Sequence, residues 1–129
     1  MRSSLRACPL LVALALAGCA EPAVRLAPVR GRATLGQKSL SQATIQLVPD
    51  GEKGTQAPTG VGQTDEDGRF RITTPAHGEG AVPGHYKVTV ATYTGKGVPR
   101  SYADPRSTPL RVAIPAGGLE NWELKLKGP

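Results

Sequence analysis

Beyond residue 28 the chain alternates apolar and polar positions with a period of two, and Gly or Pro interrupts each stretch before a helical period can establish itself. Val29, Gly31, Ala33 and Leu35 share one face of a first strand, with Arg30, Arg32 and Thr34 on the other, and a turn at Gly36-Gln37-Lys38 ends it. Ala43, Ile45 and Leu47 define the inward face of a second strand, closed by Pro49-Asp50-Gly51. A short third strand surrounds Val61 and ends near Thr64. Asp65-Glu66-Asp67-Gly68 then reads as a tight turn into a fourth strand over residues 69–73, since Gly68 is free to take positive φ. Tyr86, Val88 and Val90 mark a fifth strand, residues 110–114 a sixth and residues 122–127 a seventh.

Short strands separated by turn residues predict an all-β fold, a seven-stranded antiparallel sandwich with essentially no helix. Its expected core is Leu35, Ile45, Leu47, Phe70, Ile72, Tyr86, Val88, Val90, Leu110, Val112, Ile114, Trp122, Leu124 and Leu126. The outward phase carries Arg30, Arg32, Arg69, Arg71, Lys87, Arg111, Lys125 and Lys127, with Glu123 as the one evident acid. Such a face either rests on anionic lipid or polysaccharide, or consists of long cations that cover half-exposed strands and discourage edge pairing.

The first residues follow a different pattern. Arg2 and Arg6 precede an apolar stretch from Leu10 to Leu16, which leads into Leu16-Ala17-Gly18-Cys19. A charged start, a short apolar core and small residues form a secretory signal in outline. The core is well below the roughly 20 apolar residues needed to span a bilayer. Small residues directly before a cysteine resemble the bacterial lipobox, formed here by Leu16, Ala17, Gly18 and Cys19. That resemblance implies cleavage before Cys19 and acylation of its thiol, with palmitate-type chains holding the domain to a membrane. Cys8 would leave with the leader, so Cys19 would be the sole thiol in an oxidising compartment. Ala20, where many inner-membrane lipoproteins carry aspartate, favours the outer membrane by the same resemblance. The expected organisation is a signal peptide at 1–18, a lipidated terminus and linker at 19–28, and the sandwich at 29–129.

Composition changes this picture little. The formal charge of +6 falls to +4 once Arg2 and Arg6 are removed from 16 basic residues set against 10 acids. No run of five or six like charges occurs, and aromatics do not interleave with basic residues, so nucleic acid is not an expected partner.

Three segments taken in order resemble carboxypeptidase regulatory-like domains: residues 29–35 (VRGRATL), residues 43–51 (ATIQLVPDG) and residues 64–70 (TDEDGRF). Residues 83–90 (PGHYKVTV), with Tyr102-Ala103-Asp104-Pro105 and Thr108-Pro109-Leu110, are similar to the form found in small planctomycete-type lipoproteins. The resemblance implies a transthyretin-like fold in a noncatalytic module, from about Val29 to the end of the chain. It implies no ligand, because fold does not determine function.

Candidate chemistry is sparse. Asp65-Glu66-Asp67-Gly68 offers hard oxygen donors, but the twelfth position of an EF-hand loop started at Asp65 is Ala76, where a bidentate Glu is required. His77 and His85 are the only histidines, with Glu79 between them, and their spacing is unlike a compact zinc-ligand pair. No serine sits in a nucleophile-elbow motif. Lys87, Lys125 and Lys127 fall on the outward phase, which is unsuited to an internal isopeptide bond of the collagen-adhesin kind. No cofactor, metal or catalytic residue is expected.

The loop at 95–109, with Arg100, Tyr102, Asp104 and Arg106, is long for a hairpin connection, and such loops are often functional. Tyr102 is either an aromatic platform flanked by cations or a lid over one open end of the sandwich. The expected function is that of a lipid-anchored envelope protein with a structural or interaction module, partnered by a protein or polysaccharide of the envelope. The alternative is a carbohydrate- or peptide-binding accessory protein that uses the 95–109 loop.

Overall fold

The computed structural model describes residues 24–128. Cys19 and the lipobox lie outside the described residues. The strands, in chain order, are β1 (Val29–Leu35), β2 (Lys38–Ser39), β3 (Ala43–Pro49), β4 (Gly60–Gln63), β5 (Arg69–Arg71), β6 (Thr73–Thr74), β7 (Gly78–Glu79), β8 (Gly84–Thr92), β9 (Arg111–Ile114) and β10 (Leu119–Leu126). Two 3-10 turns, Gly51–Lys53 and Arg100–Ala103, are the only helical segments among the described residues. The chain is therefore all-β, as its alternation predicts.

The strands form two sheets. One runs β10-β1-β2, with β5 also paired to β1, and the other runs β7-β6-β4-β3-β8-β9. Seven of the eight strand pairings are antiparallel. The exception departs from the all-antiparallel expectation: β1 and β10 run parallel, with Gly31 beside Trp122 and Leu35 beside Leu126. A parallel pair needs a long connection between its members, and here nearly the whole domain lies between them.

Each of the seven predicted strands is present, but the fourth is divided. The alternation Phe70, Ile72, Thr74 is unbroken and all three are buried. Even so, the chain pairs with β1 up to Arg71 and joins β4 from Thr73. Ile72 is the corner, where a strand leaves one sheet for the other, and its N–H donates to the Val29 carbonyl at 2.9 Å.

Residues from both sheets enter one buried cluster. Val29, Ala33, Phe70, Leu124 and Leu126 come from the first sheet, and Ala43, Ile45, Leu47, Tyr86, Val88, Val90 and Ile114 from the second. Burying each of the larger aliphatic side chains stabilises the fold by about 1.5–3 kcal/mol. Leu35, Leu110, Val112 and Trp122, expected in the core, are only partly buried and pack against its margin. Each lies on or beside an edge strand, β10 or β9, or at the end of β1, where no further strand covers it.

The domain begins earlier than the alternation suggests. Ala27, assigned to the linker, is 3% exposed and forms a bridge with Ala81. The Pro28 carbonyl accepts from the Leu119 N–H at 2.8 Å. One bridge and one carbonyl leave no periodic trace in sequence.

Candidate functional site

The 95–109 loop is stapled to the domain. Its 3-10 turn directs Tyr102 inward, where it is 6% exposed and its hydroxyl accepts from the Lys127 N–H at 3.0 Å. Tyr102 therefore offers no face for stacking, which corrects its reading as an aromatic platform. Asp104 organises the next turn: its Oδ1 accepts from the Arg106 N–H at 2.8 Å and its carbonyl from the Thr108 N–H at 2.9 Å. That backbone donor, helped by the Arg106 side chain and its charge, lowers the Asp104 pKa below the ordinary carboxylate value. The buried Thr108 hydroxyl donates to the Val88 carbonyl at 2.7 Å and closes the loop onto β8. Arg100 and Arg106 remain exposed, and Arg106 makes only a 3.4 Å ion pair with Asp104. The exposed aromatic of this region is Tyr93, just past β8 and 60% accessible. Sequence alternation had no means of selecting it, since a strand end is exposed or buried according to what lies beyond it.

Asp65 is a turn former. Its Oδ1 accepts from the N–H groups of both Asp67 and Arg69 at 2.9 Å. Gly68 takes φ +79°, where an added Cβ would stand 2.5 Å from the Ala33 carbonyl oxygen. His77 and His85 are both exposed, and among the described residues no three His, Cys, Asp or Glu side chains are gathered to hold a metal ion. Lys87 is half-buried, while Lys125 and Lys127 are exposed.

A hollow of about 840 Å³ lies on the outer face of the first sheet. Its making follows from register. Pairing of β1 with β5 sets Arg30 opposite Arg71 and Arg32 opposite Arg69, with Gly31 facing Phe70 between them. Because side chains alternate across a strand, the four arginines project to one side while Phe70 and Trp122 turn to the other. The two rings meet edge-on at a centroid distance of 5.5 Å. Gly31 is required at this crossing, since a Cβ there would collide with the Trp122 carbonyl and approach the Phe70 ring to 2.9 Å.

Gln63 and Asp65 border the hollow beside β5, and Glu120, Asn121 and Glu123 border it on β10. The arginines are not equally engaged. Arg32 is fixed, donating from Nε to the Asp67 carbonyl at 3.0 Å and from Nη2 to Ser39 Oγ at 2.6 Å. Arg30 makes a loose, half-exposed ion pair with Glu79 at 3.4 Å. Arg69 and Arg71 have no side-chain hydrogen bond or ion pair among the described residues. Glu123, opposite Arg32 in register, lies 3.5 Å from Lys125. Like charges directly across an antiparallel pair are destabilising. Two such pairs side by side, with guanidinium donors left over, make a surface able to receive anions in bidentate fashion. The outward phase of these arginines was legible strand by strand; their convergence depends on β1 and β5 being neighbours.

Comparison with family models, curated proteins and solved structures finds no match to this chain in any of the three.

Proposed function

We propose that this chain is a lipid-anchored envelope lipoprotein whose β-domain is a noncatalytic structural or interaction module. The observation that carries the reading is Leu16-Ala17-Gly18-Cys19, placed directly after a short apolar core and leaving Cys19 as the only thiol of the mature chain. Eight residue steps from Cys19 to Ala27 span at most about 30 Å when fully extended, and Ala27 is already bridged to Ala81. An acylated Cys19 therefore holds the domain close to the membrane surface, and Ala20 favours the outer membrane.

The finer fold belongs to the same reading: a seven-stranded, transthyretin-like sandwich of the carboxypeptidase regulatory-like kind. Its main strands are β1, β3, β4, β5, β8, β9 and β10, with β2, β6 and β7 as short additions. The shared core of the two sheets supports this reading. A noncatalytic role is supported by how the chemistry-bearing side chains are used: Asp65 builds a turn, Asp104 builds another, and Tyr102 closes an end.

The test is labelling with a palmitate analogue and membrane fractionation, comparing the wild type with Cys19→Ala. Loss of both label and membrane association in the variant supports the anchor, and an unlabelled, freely released wild type overturns it. The second reading is a carbohydrate- or peptide-binding accessory protein. The open hollow on the first sheet favours it more than the stapled 95–109 loop does.

A further inference from the structure

We propose that the arginine hollow between β5, β1 and β10 is a binding site for a carboxylate-bearing polysaccharide. An envelope origin for that glycan rests on the lipid-anchor reading; the chemistry of the hollow does not. The cross-strand pairs Arg30–Arg71 and Arg32–Arg69 place like charges face to face at a cost to folding. A carboxylate between two guanidinium groups relieves that repulsion and accepts bidentate hydrogen bonds. Arg32 is already held by Asp67 and Ser39, so part of the ordering that binding requires is done in advance. Arg69 and Arg71 bring guanidinium donors that have no partner among the described residues.

The border of the hollow selects among anions. Asp65, Glu120 and Glu123 stand against the four arginines, a net charge of only +1. A DNA backbone has no hydroxyl group with which to answer these acids, and of the two aromatic residues that line the hollow Phe70 is buried and Trp122 only partly exposed. A carboxylate-bearing glycan, by contrast, brings hydroxyl groups on every sugar that donate to the acids and exchange hydrogen bonds with the amides of Gln63 and Asn121.

The full chain, purified from the cells that produce it, is to be titrated at low salt with polygalacturonate, with dextran as a neutral control. A single-stranded DNA oligonucleotide and phosphatidylglycerol vesicles are the competing probes. Polygalacturonate is expected to bind and dextran not. The double substitution Arg69→Gln, Arg71→Gln is expected to weaken binding by about tenfold or more, the scale of one lost charge-assisted pair, with the circular dichroism unchanged. Should that variant not fold, Arg69→Lys with Arg71→Lys decides: charge without the planar fork is expected to leave weaker binding. Absence of binding by the wild type, equal binding by a folded variant, or tighter binding to DNA or vesicles than to polygalacturonate overturns the proposal. Palmitate-analogue labelling of the same preparation reads the anchor separately, so failure of the glycan site and failure of the anchor are distinguishable.

Discussion

The hydroxyl of Tyr102 accepts a hydrogen bond from the N–H of Lys127, one residue beyond β10, at 3.0 Å. A residue of the longest connection thus reaches back to the final strand and seals one end of the domain. Lys127 is itself exposed, so its N–H can turn to water, and Tyr102→Phe is expected to cost no more than about 1 kcal/mol. Tyr102→Ala also removes the buried ring and is expected to cost about 3 kcal/mol. Thermal unfolding followed by circular dichroism measures both, and polygalacturonate affinity is expected to stay unchanged in the folded variants. A stable Tyr102→Ala variant would show that the loop does not close the core.

Gly31 has no room for a side chain. An added Cβ meets the Trp122 backbone carbonyl and the Phe70 ring, and a backbone atom held in the parallel pairing cannot give way. Gly31→Ala is expected to destabilise the domain by more than about 2 kcal/mol, within the range for overpacked cores. Urea unfolding at constant m-value is the measurement, and a shift well below that size would mean that β10 slides freely along β1.

How far the fold is legible in the sequence depends on what each strand needs from its neighbours. Ile45, Leu47, Tyr86, Val88 and Val90 alternate cleanly, and all are fully buried, because a half-buried strand writes its pattern locally. The parallel pairing of β1 with β10 is written nowhere locally; it joins segments at opposite ends of the domain. Ile72 shows the same limit, since continued alternation cannot record that a strand has changed sheets. The arginine hollow is half-legible: Arg30, Arg32, Arg69 and Arg71 are visibly outward, but their opposition is a property of register. For Tyr102 the sequence is compatible with platform and lid alike, and the 3-10 turn, formed only in the folded loop, sets its direction.

Asp65 accepts two backbone N–H groups, so Asp65→Ala is expected to cost about 1 kcal/mol. Asp65→Asn retains an acceptor and is expected to cost less. Added calcium is expected to leave the melting temperature of the wild type unchanged. A calcium-dependent rise would instead make this turn an ion site.

The Asp104 carboxyl has its pKa lowered, first by the Arg106 backbone N–H and then by the Arg106 side chain. A carboxylate whose folded pKa lies below its unfolded value stabilises the fold above that unfolded value and ceases to do so as pH falls through the folded one. The contribution of this turn is therefore present at neutral pH and lost only in acid, below the ordinary Asp value of about 3.9. Carboxyl-carbon NMR titration is expected to place Asp104 below that value. Arg106→Ala is expected to return it only part of the way, since the backbone donor remains. Full return would reverse the ranking of the two causes.

Arg71 tests whether the hollow is maintained at the expense of stability. It stands opposite Arg30, is exposed, and has no side-chain partner among the described residues. Replacing it with glutamate turns a like-charge cross-strand pair into an opposite one, and such pairs are worth roughly 0.2–1 kcal/mol. Arg71→Glu is therefore expected to unfold at a higher temperature than the wild type at low salt. The difference should narrow in about 1 M salt, where the Debye length falls to about 3 Å, below the spacing of a cross-strand pair. A surface kept only for solubility would show no such gain, because its charges would already be arranged to avoid one another. If Arg71→Glu is less stable at every salt concentration, the guanidinium groups are not in conflict, and the main energetic reason for assigning the hollow a ligand is removed.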